Sequence, residues 1–323
     1  MNKRIISMFM VLISIVALTA CGPSRTVRNT TIDIASMKGP TSIGLAKLYN
    51  DSDNKKSTCN YNYTICGTAD EITAGLLKGD YDIAALPCNV AATLYHKSEG
   101  DIVIAGINTL GALYVVEKGY YIGSFADLKN TWVYSTGQGT TPEYTFNYLL
   151  TMNDITPVQD ITVIYTNEAS ELVSTIETQH EIITVLPEPY VTLAVNKHPE
   201  LRVALDFSKE WERVNPGSAM ITGVIVARKD FAKNNPEVME EFLKEYDASV
   251  NFANNNTEDC AEILEGLDIM KADIAKKAIP NCNVVLITGN EMETKVTSYL
   301  NVLYEANPDS VGGNPPVEEM FYK

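Results

Sequence analysis

Apolar runs of strand length alternate with segments of helical period from residue 31 to residue 196, and this alternation narrows the possible folds more than any other feature. Ile32-Asp33-Ile34-Ala35 leads into Gly39-Pro40-Thr41 and a helix with Leu45, Leu48 and Tyr49 on one face. Residues 60–66 read as a strand. Thr68-Ala69-Asp70-Glu71 then has the form of a capping box, opening a helix with Ile72, Leu76 and Leu77 inward that Gly79 ends. Strands are expected at 81–86 and 101–107, with a helix at 90–96 between them. Beyond Gly119 the pattern resumes with strands at 131–135, 161–165 and 182–186, and with helices after each. Such alternation requires crossover connections and predicts mostly parallel sheets covered by helices. After Pro216-Gly217 comes one apolar run, 219–227, and then mainly helix. Val238, Phe242, Leu243, Tyr246 and Val250 form a core-facing stripe, and further helices are expected near 257–265, 271–278 and 289–306. The tail Gly312-Gly313-Asn314-Pro315-Pro316 is irregular and reads as a strap over the surface.

A chain of 323 residues that is 45% hydrophobic can bury two cores of ordinary domain size. Acidic side chains outnumber basic ones 41 to 25, and the net charge of −16 argues against nucleic acid, which is bound through Lys/Arg excess. The three histidines, His96, His180 and His198, lack metal-ligand spacing, so no metal or cofactor is expected. The chain has no Gly-x-Ser-x-Gly elbow, no His-Glu-x-x-His and no Walker loop. Cys88 has His96 eight residues on, two turns along the next helix. Glu143 and Glu188 sit beside prolines at helix starts, which accounts for both. A binding protein is expected rather than an enzyme.

At the N-terminus Lys3 and Arg4 precede an apolar run over 5–17, then Leu18-Thr19-Ala20-Cys21. A basic start, a short apolar stretch and small residues before a cut make a secretory signal, too short for the ~18–20 residues that span a bilayer. Leu-Thr-Ala-Cys resembles the lipobox of bacterial lipoproteins. That resemblance implies cleavage before Cys21, its acylation (palmitate among the chains), a leader over 1–20 and a tether over 21–30. The protein would then be lipid-anchored to the cell membrane and face the exterior or periplasm. An uncleaved anchor helix is the competing reading. Of the five other cysteines, Cys59 and Cys66 flank one strand and are too far apart to bridge. Cys260 with Cys282 is possible, and buried thiols are the alternative.

Ligands of open parallel sheets bind beyond the carboxyl ends of the strands, at helix N-termini. The loops expected there are Lys38-Gly39-Pro40-Thr41-Ser42, Pro87-Cys88-Asn89, Asn108-Thr109, Thr136-Gly137-Gln138-Gly139-Thr140-Thr141 and Pro187-Glu188-Pro189-Tyr190. The candidate ligand-binding residues are therefore Lys38, Gly39, Pro40, Thr41, Ser42, Pro87, Asn89, Asn108, Thr109, Thr136, Gly137, Gln138, Thr140, Thr141, Pro187, Glu188 and Tyr190. Glycines let backbone N–H groups approach a ligand, and Thr and Asn supply neutral donors and acceptors.

The lipobox, Lys38-Gly39-Pro40-Thr41, Leu77-Lys78-Gly79-Asp80-Tyr81-Asp82-Ile83-Ala84-Ala85 and Ser135-Thr136-Gly137-Gln138-Gly139-Thr140-Thr141-Pro142-Glu143 together resemble the substrate-binding lipoproteins of ABC importers. The nearest group is the nitrate/sulfonate/taurine and thiamine-precursor set. The resemblance implies the type 2 periplasmic-binding fold, two α/β lobes joined by two hinge crossings near Tyr114-Val115-Val116 and Ile221-Thr222-Gly223. Lobe one would comprise 31–113 and 220–323, and lobe two 114–219. It also implies a monomer that captures a small polar or heteroaromatic solute and delivers it to permease and ATPase subunits. The cysteine-rich motif of the pyrimidine-forming relatives is missing, which disfavours an enzyme of that type. A ligand-sensing extracellular domain is the other alternative.

Overall fold

The computed structural model describes residues 27, 28 and 30–323. The expected leader, Cys21 and most of the expected tether lie outside the described residues, among which no helix is long and apolar enough to cross a membrane.

Two sheets organise the chain. In sequence order the strands are β1 (Thr31–Met37), β2 (Asn60–Cys66), β3 (Ile83–Pro87), β4 (Ile102–Leu110), β5 (Leu113–Lys118) and β6 (Trp132–Thr136). β7 (Thr162–Thr166), β8 (Ile182–Pro187), β9 (Arg202–Asp206), β10 (Ile221–Arg228) and β11 (Val284–Ile287) follow. One sheet has the order β11-β4-β10-β3-β1-β2, the other β7-β6-β8-β5-β9. β1 is parallel to β2 and β3, and β6 is parallel to β7 and β8. β10 runs antiparallel to β3 and β4, β11 antiparallel to β4, and β5 antiparallel to β8 and β9.

The expectation of mostly parallel sheets holds for the direction of most strands. Four of six strands in the first sheet and four of five in the second share a direction, yet both sheets are mixed. The reason is connectivity. β4 ends at Leu110 and β5 begins at Leu113, so the chain passes almost straight from one sheet into the other. It must then run away from the junction that its new neighbours run towards. β10 repeats this on the return. The two crossings lie side by side, with Gly111 N–H donating to Met220 C=O at 3.0 Å and the Thr222 hydroxyl donating to Gly111 C=O.

Local chemistry explains most elements. Thr68 accepts the Glu71 N–H at 3.4 Å, and Gly79 closes the helix Ala69–Lys78 at φ 83°, a left-handed conformation that glycine adopts without penalty. No apolar run marks β9, whose side chains are exposed or half-buried, whereas β11 is the four-residue apolar run Val284–Ile287, which is not among the expected strands. The helix Phe207–Val214 is not among the expected elements, although Phe207, Trp211 and Val214 stand at i, i+4 and i+7 on one face. It starts where Asp206 accepts the Ser208 N–H at 2.9 Å, and it buries Phe207 and Trp211.

Helices cover both faces of each sheet. One apolar core passes from Leu86 and Ile104 through Met220 and Ile221 to Trp211, Phe146 and Phe207, so the two halves share packing. A second core lies under the helix Pro236–Asn255, and a third under the helices Ala169–Thr178 and Tyr190–Lys197. The segment 312–316 is irregular and lies at the surface as expected, while the residues on either side of it turn inward. Ser310, Val311 and Met320 are buried, and Tyr322 N–H donates to Ile104 C=O at 2.9 Å, so the last residues complete the core beside β4.

Candidate functional site

The carboxyl ends of β1, β3 and β4 meet those of β6 and β8 along a polar seam between the two halves. Asn89, on the first turn of the helix after β3, is buried there. Its amide donates to Gly139 C=O at 3.4 Å and to Ser310 C=O at 3.1 Å, and its carbonyl accepts from the Thr141 hydroxyl at 3.1 Å. Asn89 belongs to the first half and Gly139 and Thr141 to the second, so one side chain joins two predicted loops across the seam. Deeper in, the Thr145 and Tyr299 hydroxyls lie 2.8 Å apart, which ties the helix Thr141–Thr151 to the helix Gly289–Ala306. Sequence reasoning missed this pair, because neither residue stands at a strand end.

A second cluster belongs to the first half. Asn108 donates to Thr41 C=O at 3.3 Å, while its Oδ1 and the buried Thr109 hydroxyl have no partner among the described residues. Gly223 lies beneath them: a Cβ there would stand 2.4 Å from Asn108 Oδ1 and 2.8 Å from the Thr41 methyl. The unused polar atoms of Asn108 and Thr109 are costly unless something donates to them or accepts from them.

The second half contributes two loops. Gly137 has φ 74°, and a Cβ there would collide with Thr140 and Pro142, so the turn after buried Thr136 requires glycine. Thr140 donates to Gly137 C=O at 2.6 Å, and Glu143 reaches back to accept the Gly139 N–H at 2.6 Å. Gln138 is exposed at the tip of this turn. After β8, Pro187 pairs with Leu113, Glu188 N–H donates to Ala112 C=O at 2.9 Å, and the Glu188–Pro189 bond is cis. The Glu188 carboxylate is buried, accepts from Thr192 N–H at 3.1 Å and the Thr192 hydroxyl at 3.0 Å, and has its pKa raised by desolvation. Tyr190 is half-buried beside it, with burial and Glu168 both raising its hydroxyl pKa.

Three of the expected residues point elsewhere. Ser42 turns inward, 2.8 Å from the Ser36 hydroxyl, and holds the turn Gly39-Pro40 in place. Lys38 extends to Asp268, 4.0 Å away, with nearly half its side chain exposed. Pro87 is buried as the last residue of β3, paired with Gly223. The Cys88 thiol is buried and pushed well above its ordinary range, so it is held as a thiol and not as a nucleophilic thiolate. All five described cysteines are buried and unpaired.

A cavity of about 600 Å³ lies behind the crossings instead, lined by Leu110, Gly111, Ser208, Met220, Asn283 and Lys295 among others. It touches the expected loops only at Leu110 and Gly111, which continue the loop of Asn108 and Thr109. The seam is the better candidate, because its polar groups converge from both halves and some lack partners, whereas the cavity is the gap left where the chain passes between sheets.

No protein-family model matches the chain, and no curated protein sequence is similar to it. Solved structures do match. An ABC transporter protein from Parabacteroides distasonis has TM-score 0.76 and 26% identity over 91% of this chain and 99% of that one. The periplasmic aliphatic sulphonate binding protein SsuA from Escherichia coli has TM-score 0.72 and 14% identity over 91% of this chain and 92% of its own. The periplasmic nitrate-binding protein NrtA from Synechocystis has TM-score 0.65 and 14% identity, covering 87% and 84%. The chain has the fold of these periplasmic binding proteins, two mixed α/β halves about a shared junction.

Proposed function

We propose that this chain is the solute-binding component of an ABC importer, capturing a small polar or heteroaromatic solute between its halves and delivering it to a membrane permease. The likeness to the Parabacteroides ABC transporter protein and the sulphonate- and nitrate-binding proteins supports the reading. The observation that carries it is the seam, where Asn89, Gly139 and Thr141 meet across two sheets beside the unpaired Asn108 Oδ1 and Thr109 hydroxyl. In this reading lobe one comprises 31–113 and 220–323 and lobe two 114–219. The predicted loops contact the solute, and Cys21 carries the lipid that holds the protein on the cell membrane.

Capture works by closure. A solute bridging both halves contacts them simultaneously only when they are shut, so it favours the shut form by that difference in affinity. Closure also removes water, which strengthens each polar contact. Native mass spectrometry of protein purified without added ligand tests the reading: a bound small molecule that is released unchanged supports capture. A solute that is chemically transformed would make the protein an enzyme. Absence of any bound species, together with unchanged small-angle scattering across a solute library, would overturn the proposal.

A further inference from the structure

The charge of the seam goes one step further, and the step rests on reading the seam as a solute cleft. Glu188 is 3% exposed, and both of its hydrogen bonds come from Thr192. A carboxylate has roughly four acceptor sites, so half of its capacity is unused by these bonds. No basic side chain among the described residues forms an ion pair with it. Its charge is felt by Tyr114 in its own half and by buried Cys282 in the other, which sets it at the junction of the halves.

Nearby groups add to the asymmetry. Glu168 faces the first half, since a Cβ on Gly67 would stand 3.6 Å from its Oε1. The Tyr165 hydroxyl donates to Glu143, and Tyr165 and Tyr190 are both half-buried. Lys38 is the one cation among the predicted loops, and it reaches outward to Asp268.

We propose that the seam selects a cationic, N–H-bearing solute, and that Glu188 reads its charge. A buried carboxylate without a counter-ion is expensive, and a bound cation offsets that cost when it also supplies the missing donors. An anion would enter a low-dielectric site beside a carboxylate, with no basic partner to stabilise it. Charge thus separates this chain from structural neighbours whose names specify sulphonate and nitrate.

The test is calorimetric titration of the exhaustively dialysed protein with benzamidinium chloride and with sodium benzoate, which match in shape and differ in charge, and with ethanesulfonate and nitrate. Benzamidinium is expected to bind at least tenfold more tightly than any of the three anions. Glu188→Gln keeps an acceptor for Thr192, and it should weaken benzamidinium at least tenfold while leaving the melting temperature of the free protein unlowered. Tighter binding of any anion, equal binding of benzamidinium by the variant, or no binding by any of the four probes overturns charge selection. The capture reading is judged separately: a copurified solute of any charge in the native mass spectrum keeps it standing.

Discussion

At Gly223 the hydrogen that replaces a side chain leaves room for Asn108 and Thr41, and no other residue fits without displacing one of them. Gly223→Ala should therefore destabilise the fold by roughly 1–3 kcal/mol, read as a lower urea midpoint, through overpacking at the seam. The opposite case stands far from the seam. Val158 is almost fully exposed at φ 71°, a left-handed conformation that costs a β-branched residue roughly 1–2 kcal/mol. Val158→Asn should raise stability by about 1 kcal/mol, because asparagine tolerates that region. Glu188 gives a pH signature. Burial lifts its pKa above the ordinary 4.5, so the folded state holds this proton more tightly than the unfolded state. Its contribution is fully present below the unfolded value and is lost as pH rises through the folded one. The stability of Glu188→Gln relative to wild type should accordingly grow as pH rises above 4.5, measured as paired denaturation midpoints.

Elements with their own signals were legible in the sequence. The Thr68–Glu71 cap, the Gly79 stop and the stripe through Phe242 and Tyr246 announced their helices, and eight of the eleven strands stood out, with β5 expected only as a hinge crossing and β9 and β11 not at all. What stayed hidden depends on partners far along the chain. β9 is an edge strand whose place is fixed by β5, and the helix Phe207–Val214 is held by Trp211 against Tyr299, 5.0 Å between ring centroids. Candidate site loops were identifiable from their position after strands, while the aim of each side chain was not. Ser42 and Lys38 face away because Ser36 and Asp268 happen to be near. The tail shows the same limit, since irregular sequence gave no hint that Met320 is fully buried. Met320→Ala should cost ~2–5 kcal/mol in a urea titration, the scale of emptying a packed core position.

On the scale of the whole molecule, the two halves share one core at the junction and separate polar surfaces along the seam. Closure around a solute should shrink the radius of gyration in small-angle scattering. Asn89→Ala, which removes two of the hydrogen bonds between the halves, should shift the free protein toward the more extended form. The reversed strands β5 and β10 are the visible trace of the chain entering and leaving the second half.

Gly111 and Met220 are bonded to each other where the chain crosses in each direction. Two struts fastened together leave a single axis of rotation, so neither can twist without carrying its companion. If the halves close as proposed, a guest gripped at one point of the bite should shift the others with it, and a surface reading the outer rim should sense whether the inside is full.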